Sequence, residues 1–224
     1  MKKLLIFDAY GTLISTGNGS IQATEKILAL QDKHIDAKAF YKEWKQYHRR
    51  HLDEANTEVF LTEADIFTKD LKVLYEAYEI DRPFEMDVQI MLDSLENRIV
   101  FPDVNEAIGS LRQRYRVVIG FTTDTFPLLH NLEQNQLTFD AVYTSEMIQK
   151  YKPDAAFYRY ILRSEGCGPE DAVFIGDSLT DDIAGPKRLG IATVWVNRSA
   201  KPVASDAVKP DYTASSINEI EKLL

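Results

Sequence analysis

Four short segments of this chain place acidic, hydroxyl or basic side chains directly after apolar runs. The first is Asp8, which follows the run Leu4–Phe7 and is itself followed by Gly11 and Thr12. At the carboxyl end of a buried parallel strand, backbone amides of the next turn can surround an anion, so open α/β sheets place chemistry there. We therefore predict that Asp8 lies in an active site and acts as a nucleophile.

The second and third segments supply groups that hold negative charge. Thr123 and Asp124 follow the apolar run Val117–Phe121, and a hydroxyl with backbone amides at this place could hold anionic oxygens. Lys152 precedes a proline just ahead of a predicted helix. Its fixed positive charge would suit an anionic substrate or Asp8 itself.

The fourth segment adds two carboxylates, Asp177 and Asp182, after the apolar run Ala172–Ile175. If Asp177 lies beside Asp8, their like charges are unfavourable unless a cation lies between them, which favours a Mg²⁺ site. Taken singly, such residues often cap turns or helix ends. Their joint occurrence in this order indicates an active site.

These segments must be positioned by repeated strand and helix units. From Phe101 onward, short β-branched runs alternate with helical patterns, which is typical of α/β proteins with a parallel sheet flanked by helices. The strands predicted there are Val117–Phe121, Ala141–Tyr143, Ala172–Ile175 and Ala192–Val196. Each of the four chemical segments then lies at the carboxyl end of a core strand.

Residues 15–98 follow a different pattern, in which apolar residues such as Leu71, Leu74 and Tyr78 recur every three or four positions. This spacing predicts a helical insertion of residues 15–98, with residues 1–14 and 99–224 forming the core. Lys45 lies within the insertion on a face rich in aromatic residues. It is either a solvated base of an amphipathic helix or a base placed over the active site to hold an anion.

The composition excludes several classes of function. The chain has 224 residues, 45% of them hydrophobic, and a formal net charge of -9, which disfavours nonspecific binding to nucleic acids or acidic membranes. Cys167 is the only cysteine, so no internal disulfide can form. Because Asp8 interrupts the apolar run that follows Lys3, we expect no secretory signal and a cytoplasmic location.

The order Asp-x-x-Gly-Thr, Thr, Lys-Pro-Asp and Gly-Asp-x-x-x-x-Asp resembles the motifs of the haloacid dehalogenase-like hydrolase superfamily, over essentially the whole chain. The resemblance implies a Rossmann-like core with a helical cap inserted after the first strand. It also implies that Asp8 forms a covalent ester, which water then hydrolyses. Most members are Mg²⁺-dependent phosphatases, whereas a minority cleave carbon–halogen bonds without a metal.

The same resemblance implies roles for individual residues, with Thr123 and Lys152 holding the phosphoryl oxygens. The expected ligands of Mg²⁺ are Asp8, the main-chain carbonyl of Tyr10, Asp177 and Asp182. The expected substrate contacts are Gly11, Thr12, Asp124 and Lys45. The substrate would be a small anionic molecule.

Tyr10 departs from the phosphatase pattern, because most phosphatase members carry there a second aspartate that protonates the leaving group. Loss of such an acid typically forfeits roughly 10²–10⁴ in rate. A tyrosine is instead usual in the dehalogenase subgroup, which Trp44, Tyr158 and the segment Val194–Arg198 also resemble. Asp177, in contrast, stands where that subgroup has an uncharged serine.

Three hypotheses remain open at this point. The first is a Mg²⁺-dependent phosphatase that acts on a small phosphorylated metabolite. The second is a metal-independent hydrolase similar to the 2-haloacid dehalogenases. The third is a weakly active member that binds a ligand or has a regulatory role.

Overall fold

The computed structural model describes residues 3–31, 34–96, 98–202 and 208–224. Within these residues, six parallel strands form one sheet in the order β3-β2-β1-β4-β5-β6. The strands are β1 (Leu4–Phe7), β2 (Arg116–Phe121), β3 (Ala141–Thr144), β4 (Ala172–Gly176), β5 (Ala192–Val196) and β6 (Tyr212–Ala214). This arrangement confirms the predicted Rossmann-like α/β fold.

The central strand β1 is buried over its whole length, as expected for an apolar run covered on both faces. It pairs with β2 on one side and β4 on the other, so that Phe7 lies opposite both Ile119 and Ile175. The strand order changes direction between β1 and β4, and ligands of open α/β sheets bind at such a switch point. The residue after Phe7 is Asp8.

Within the described residues, the first four helices after β1 are α1 (Gly19–Leu28), α2 (Ala37–Thr57), α3 (Glu63–Ala77) and α4 (Glu85–Glu96). They share a hydrophobic core of their own, which includes Phe40, Trp44, Leu71, Leu74 and Met91. We call α1–α4 the four-helix segment. Its apolar stripes face inward because residues three and four apart share one helix face.

The remaining helices pack against the sheet. They are α5 (Val104–Arg114), α6 (Thr125–Gln134), α7 (Ser145–Ile148), α8 (Ala155–Glu165), α9 (Gly185–Lys187) and α10 (Ile220–Leu223). Val104 of α5 and Leu128 of α6 pack in one cluster with β1 and β2, and Phe157 and Ile161 of α8 pack in another. No helix within the described residues is both long and apolar enough to cross a bilayer.

The sixth strand is absent from the strands predicted from the sequence. Tyr212–Ala214 pairs in parallel with β5, so that Val196 lies opposite Ala214. Only Ala214 of its three residues is buried. A strand so short, at the edge of a sheet, has no alternating apolar pattern by which sequence could reveal it.

Candidate active site

Asp8 lies immediately beyond β1 and is almost completely buried, with 3% of its surface exposed. Its backbone N–H donates to the carbonyl of Ile175 in the neighbouring strand at 2.8 Å. The Thr12 hydroxyl donates to Asp8 Oδ2 at 2.8 Å, and Lys152 Nζ donates to Oδ1 at 2.7 Å. Both carboxylate oxygens are therefore held in one orientation.

The turn after Asp8 depends on Gly11. Its φ is +93°, in a region that residues with a side chain rarely adopt. A Cβ atom at this position would lie 2.7 Å from Oδ2 of Asp177. The glycine thus allows the first turn and Asp177 to approach each other closely.

Lys152 lies between two of the acids and is 3% exposed. Its Nζ donates to Asp8 Oδ1 and to Asp182 Oδ1, each at 2.7 Å. Burial alone would lower the pKa of this ammonium, but the carboxylates of Asp182 and Asp8 outweigh it and raise the pKa. Lys152 is consequently charged at every physiological pH.

Asp8, Asp177 and Asp182 form the acid cluster, in which one carboxylate oxygen of each residue lies within 4.8 Å of the others. Burial raises the pKa of all three carboxyls. Repulsion by Asp177 raises that of Asp8 further, and repulsion by Asp182 raises that of Asp177. Oxygen ligands at this spacing fit a hard divalent cation such as Mg²⁺.

The backbone beyond β4 positions Asp182. A helical turn of Leu179–Ala184 begins at Ser178, whose hydroxyl accepts the N–H of Asp181 at 3.1 Å. Asp182 Oδ2 accepts the N–H of Ser178 at 2.9 Å. A Cβ atom on Gly176 would lie 2.3 Å from Asp182 Cγ, so the glycine leaves the space that this carboxylate fills.

Residues of β5 and the loop beyond it support the cluster from behind. Trp195 Nε1 donates to the carbonyl of Asp177 at 2.9 Å. The Arg198 guanidinium donates to the carbonyl of Thr12 at 2.9 and 3.1 Å and forms an ion pair with Asp103. The segment Val194–Arg198, which resembles dehalogenases, therefore stabilises the turns that carry the acids.

The hydroxyl of Tyr10 makes hydrogen bonds to two helices, α4 and α6. It donates to the carbonyl of Leu95 at 3.1 Å and accepts from Asn131 Nδ2 at 2.8 Å. Burial and the nearby Glu63 carboxylate raise the pKa of the phenol above its ordinary value. The side chain at position 10 is thus a poor proton donor.

Thr123 and Asp124 both contact the first turn of α3. The Thr123 hydroxyl, which is completely buried, donates to Glu63 Oε2 at 2.7 Å. The two carboxylate oxygens of Asp124 accept the N–H groups of Glu63 and Ala64 at 2.8 and 3.0 Å. Asp124, predicted to contact substrate, here stabilises a helix N-terminus.

Comparison with known proteins identifies the family. The profile of the haloacid dehalogenase-like hydrolases matches residues 2–190. The chain belongs to this family. It is 29% identical to N-acylneuraminate-9-phosphatase of Mus musculus over 133 residues, which cover 58% of the chain and 54% of that enzyme. The chain therefore spans about half the length of this curated relative.

Proteins named as 2-haloacid dehalogenases match over nearly the whole chain. The (S)-2-haloacid dehalogenase 4A of Burkholderia cepacia is 22% identical over 226 residues, covering 98% of the chain and 93% of that enzyme. The solved L-2-haloacid dehalogenase of Xanthobacter autotrophicus has a TM-score of 0.82 at 18% identity, covering 100% of the chain and 98% of the other. At this identity the structural likeness shows the fold alone.

The bases of α2 have different surroundings. Lys45 is exposed, and its Nζ lies 5.1 Å from the centroid of the Tyr41 ring. Arg49 instead pairs with both carboxylate oxygens of Asp181, at 2.9 and 3.0 Å, and so joins α2 to the turn of the fourth family motif. The role of Lys45 as an anion-binding base stays a prediction.

A cavity of about 190 Å³ lies between the four-helix segment and the first family motif. Its wall is largely apolar and includes Tyr10, Trp44, Phe67, Met91 and Leu95. Lys45, His48, Glu63 and Arg98 add polar groups. Two residues of the wall connect the cavity to the family motifs. Tyr10 belongs to the first motif, and Glu63 accepts a hydrogen bond from Thr123 of the second.

Two of these polar residues, Glu63 and Arg98, escaped sequence analysis. Arg98 is 7% exposed; it donates to the Thr16 carbonyl and to Ser20 Oγ, and in the described residues it has no carboxylate partner. In the sequence, Glu63 looks like an ordinary acid in the first turn of a helix. Its contact with Thr123 joins residues 60 positions apart, and no local sequence pattern predicts such a contact.

Proposed function

We propose that this chain is a Mg²⁺-dependent phosphatase that acts on a small phosphorylated metabolite through an ester on Asp8. The acid cluster is the observation that carries the proposal. Three clustered carboxylates, two of them buried and that of Asp177 partly buried, hold more negative charge than the ammonium of Lys152 neutralises. A divalent cation would remove this imbalance, because it stabilises the ionised carboxylates.

The residues present fit such an ion. Asp8, Asp177 and Asp182 would hold it, together with the main-chain carbonyl of Tyr10, as the family resemblance implies. When bound, Mg²⁺ would neutralise the charge of the phosphoryl group that Asp8 approaches.

The chain's own residues would orient the nucleophile, attack phosphorus and bind the phosphoryl oxygens. Thr12 and Lys152 hold the Asp8 carboxylate in a fixed orientation, which reduces the entropy lost on reaching the transition state. Asp8 displaces the alcohol from phosphorus and water hydrolyses the resulting ester, so one difficult displacement becomes two easier ones. Thr123 and Lys152 would bind the phosphoryl oxygens.

The cavity supports a small substrate rather than a polymer. Its volume of about 190 Å³ suits the non-reacting part of a metabolite. We propose that residues 15–98 act as a cap over a core of residues 1–14 and 99–224, and that cap side chains such as Lys45 select the substrate. No role for nucleic acids or membranes is proposed.

A second candidate is metal-independent hydrolysis of 2-haloacids. The observation that favours it is Tyr10, whose engaged hydroxyl cannot readily protonate an alkoxide, because a halide leaving group needs no proton. The likeness to dehalogenases over nearly the whole chain agrees with it. Against it stands Asp177, an additional, partly buried carboxylate that this reaction does not use.

The two candidates differ in metal dependence. We expect p-nitrophenyl phosphate to be hydrolysed with Mg²⁺, and this activity to disappear with EDTA and return when Mg²⁺ is added in excess. Asp8→Asn should reduce the rate at least about 10⁴-fold, since nucleophile removal is among the most damaging changes in such enzymes. Asp81→Asn, the same change at an exposed position between α3 and α4, serves as the control.

Chloride release from L-2-chloropropionate in the presence of EDTA would instead support the second candidate. If the wild type turns over neither compound while Asp8→Asn still binds inorganic phosphate normally, neither enzymatic proposal holds and a ligand-binding role is favoured.

A further inference from the structure

Cleavage of a phosphate ester leaves an alkoxide that must receive a proton. In this chain the residue two positions after the nucleophile is Tyr10, whose hydroxyl already donates to Leu95. Lys152 bridges Asp8 and Asp182, and Asp177 belongs to the acid cluster. The proton donor must therefore come from elsewhere.

Glu63 lies where such a donor is needed. It is the first residue of α3, and its N–H is held by Asp124 at 2.8 Å. Its Oε2 accepts the Thr123 hydroxyl at 2.7 Å, so the carboxyl touches a predicted phosphoryl-binding residue. It also lines the cavity, and within the described part of the chain it is the one carboxylic acid that does so.

We propose that Glu63, supplied by the four-helix segment, is the general acid that protonates the leaving group in place of the missing aspartate. The inference rests on the proposed phosphatase function. The carboxyl lies between the phosphoryl site and the cavity that would hold the alcohol portion of the substrate. The bridging oxygen of a phosphate ester lies at this same boundary.

The surroundings of Glu63 favour its protonated form. Burial raises the pKa of this carboxyl, and the neighbouring His48 and the hydrogen bond from Thr123 offset part of that effect. A phosphoryl group arriving at Thr123 adds negative charge and raises the pKa further. The titratable or charged groups facing Glu63 from the packed elements are Tyr10, His48, Arg98, Asp124 and Tyr151.

The proton balance closes over both steps. As an Asp8 oxygen bonds to phosphorus, the bond from phosphorus to the ester oxygen breaks, and its electron pair takes the proton of Glu63. Glu63 is then a carboxylate. In the second step it accepts a proton from the water that attacks phosphorus, the bond to Asp8 breaks, and both side chains return to their starting forms.

The test compares leaving groups in Glu63→Gln. p-Nitrophenoxide leaves without help from an acid, whereas the alkoxide of β-glycerophosphate does not. We expect the variant to retain kcat/KM for p-nitrophenyl phosphate within about threefold of wild type, because kcat/KM reports only the steps up to release of p-nitrophenoxide. Its kcat should fall on every ester, since Glu63 also accepts the proton of the attacking water. We expect it to lose roughly 10²–10⁴-fold in kcat/KM on β-glycerophosphate, the range for a positioned acid. Phenyl phosphate should lie between the two.

Glu76→Gln is the matched control, because it makes the same change at an exposed position of the same helix. Glu63→Asp keeps the carboxyl and should recover part of the loss. On β-glycerophosphate, the fall of kcat/KM at high pH that reports a protonated acid should disappear in Glu63→Gln and persist in Glu76→Gln.

Two results would overturn the inference. Equal losses of kcat/KM on all three esters would assign Glu63 a structural role through Thr123, and no loss of kcat/KM on β-glycerophosphate would exclude it as the acid. Failure of the proposed function is separately visible: the wild type would then hydrolyse no ester in the presence of Mg²⁺, and both proposals would fall.

Discussion

At the scale of single residues, the candidate site depends on close approaches that only particular side chains permit. Asp8 gains its fixed orientation from Thr12 and Lys152. Gly11 and Gly176 leave the space that the carboxylates of Asp177 and Asp182 occupy. A residue with a side chain at either position would overlap a carboxylate of the acid cluster, which explains why both are glycine.

Gly11→Ala tests this reasoning. At a φ of +93° a side chain is strained, and its Cβ would lie 2.7 Å from the Asp177 carboxylate. We expect the free energy of unfolding to fall by about 1–3 kcal/mol, with weaker Mg²⁺ binding measured by calorimetry. Gly109→Ala is the control, because a Cβ there meets no atom within 4 Å. Unchanged Mg²⁺ affinity in Gly11→Ala would contradict the proposed closeness of Asp177.

At the scale of elements, α3 is the main connection between the four-helix segment and the second family motif. Its N-terminus is stabilised twice. Thr62 and Asp65 form a capping box within the helix, and Asp124 accepts two further N–H groups from across the interface. Only the second set of bonds fixes the helix relative to Thr123.

Comparison of Asp124→Ala with Asp65→Ala separates the two roles. Each removes hydrogen bonds to the same helix terminus, so each should lower the free energy of unfolding by about 1–2 kcal/mol in urea denaturation. Asp124→Ala should in addition reduce turnover of β-glycerophosphate more than that of p-nitrophenyl phosphate, because it displaces Glu63. Equal effects of both variants on that ratio would show that Asp124 does not position Glu63.

At the scale of the whole molecule, the acid cluster links folding, pH and metal binding. Burial and mutual repulsion raise the pKa of Asp8, Asp177 and Asp182 above the ordinary value of 3.8. Above that pH the folded state holds protons that the unfolded chain has released. Stability must therefore decrease as the pH rises until the folded carboxyls have also lost their protons.

We accordingly expect the protein in EDTA to lose unfolding free energy as the pH is raised from about 4 toward neutrality. Mg²⁺ should restore it at neutral pH and have little effect at pH 4, since the metal needs ionised ligands. Urea denaturation with EDTA or Mg²⁺ at several pH values measures both effects. Asp177→Asn should flatten both dependences. A stabilisation by Mg²⁺ that is independent of pH would exclude the cluster as its site.

The sequence by itself determined the parallel sheet, the helical character of residues 15–98 and the four motifs. These features depend on local patterns, such as β-branched runs, helical spacing, and an acid or a glycine at a strand end. The family motifs at Asp8, Thr123, Lys152 and Asp177 could be recognised for the same reason. The short edge strand β6 could not, because pairing with β5 rather than its own pattern makes it a strand.

Only the tertiary structure decided what surrounds those motifs. In the folded chain the hydroxyl of Tyr10 bonds to Leu95 and Asn131. Asp124 accepts an N–H group of α3, and Glu63 accepts the hydroxyl of Thr123. Such contacts join residues 60 to 121 positions apart. They depend on how helices and strands pack against one another. The periodicity of residues within one helix or strand does not indicate which residues of another element it will contact.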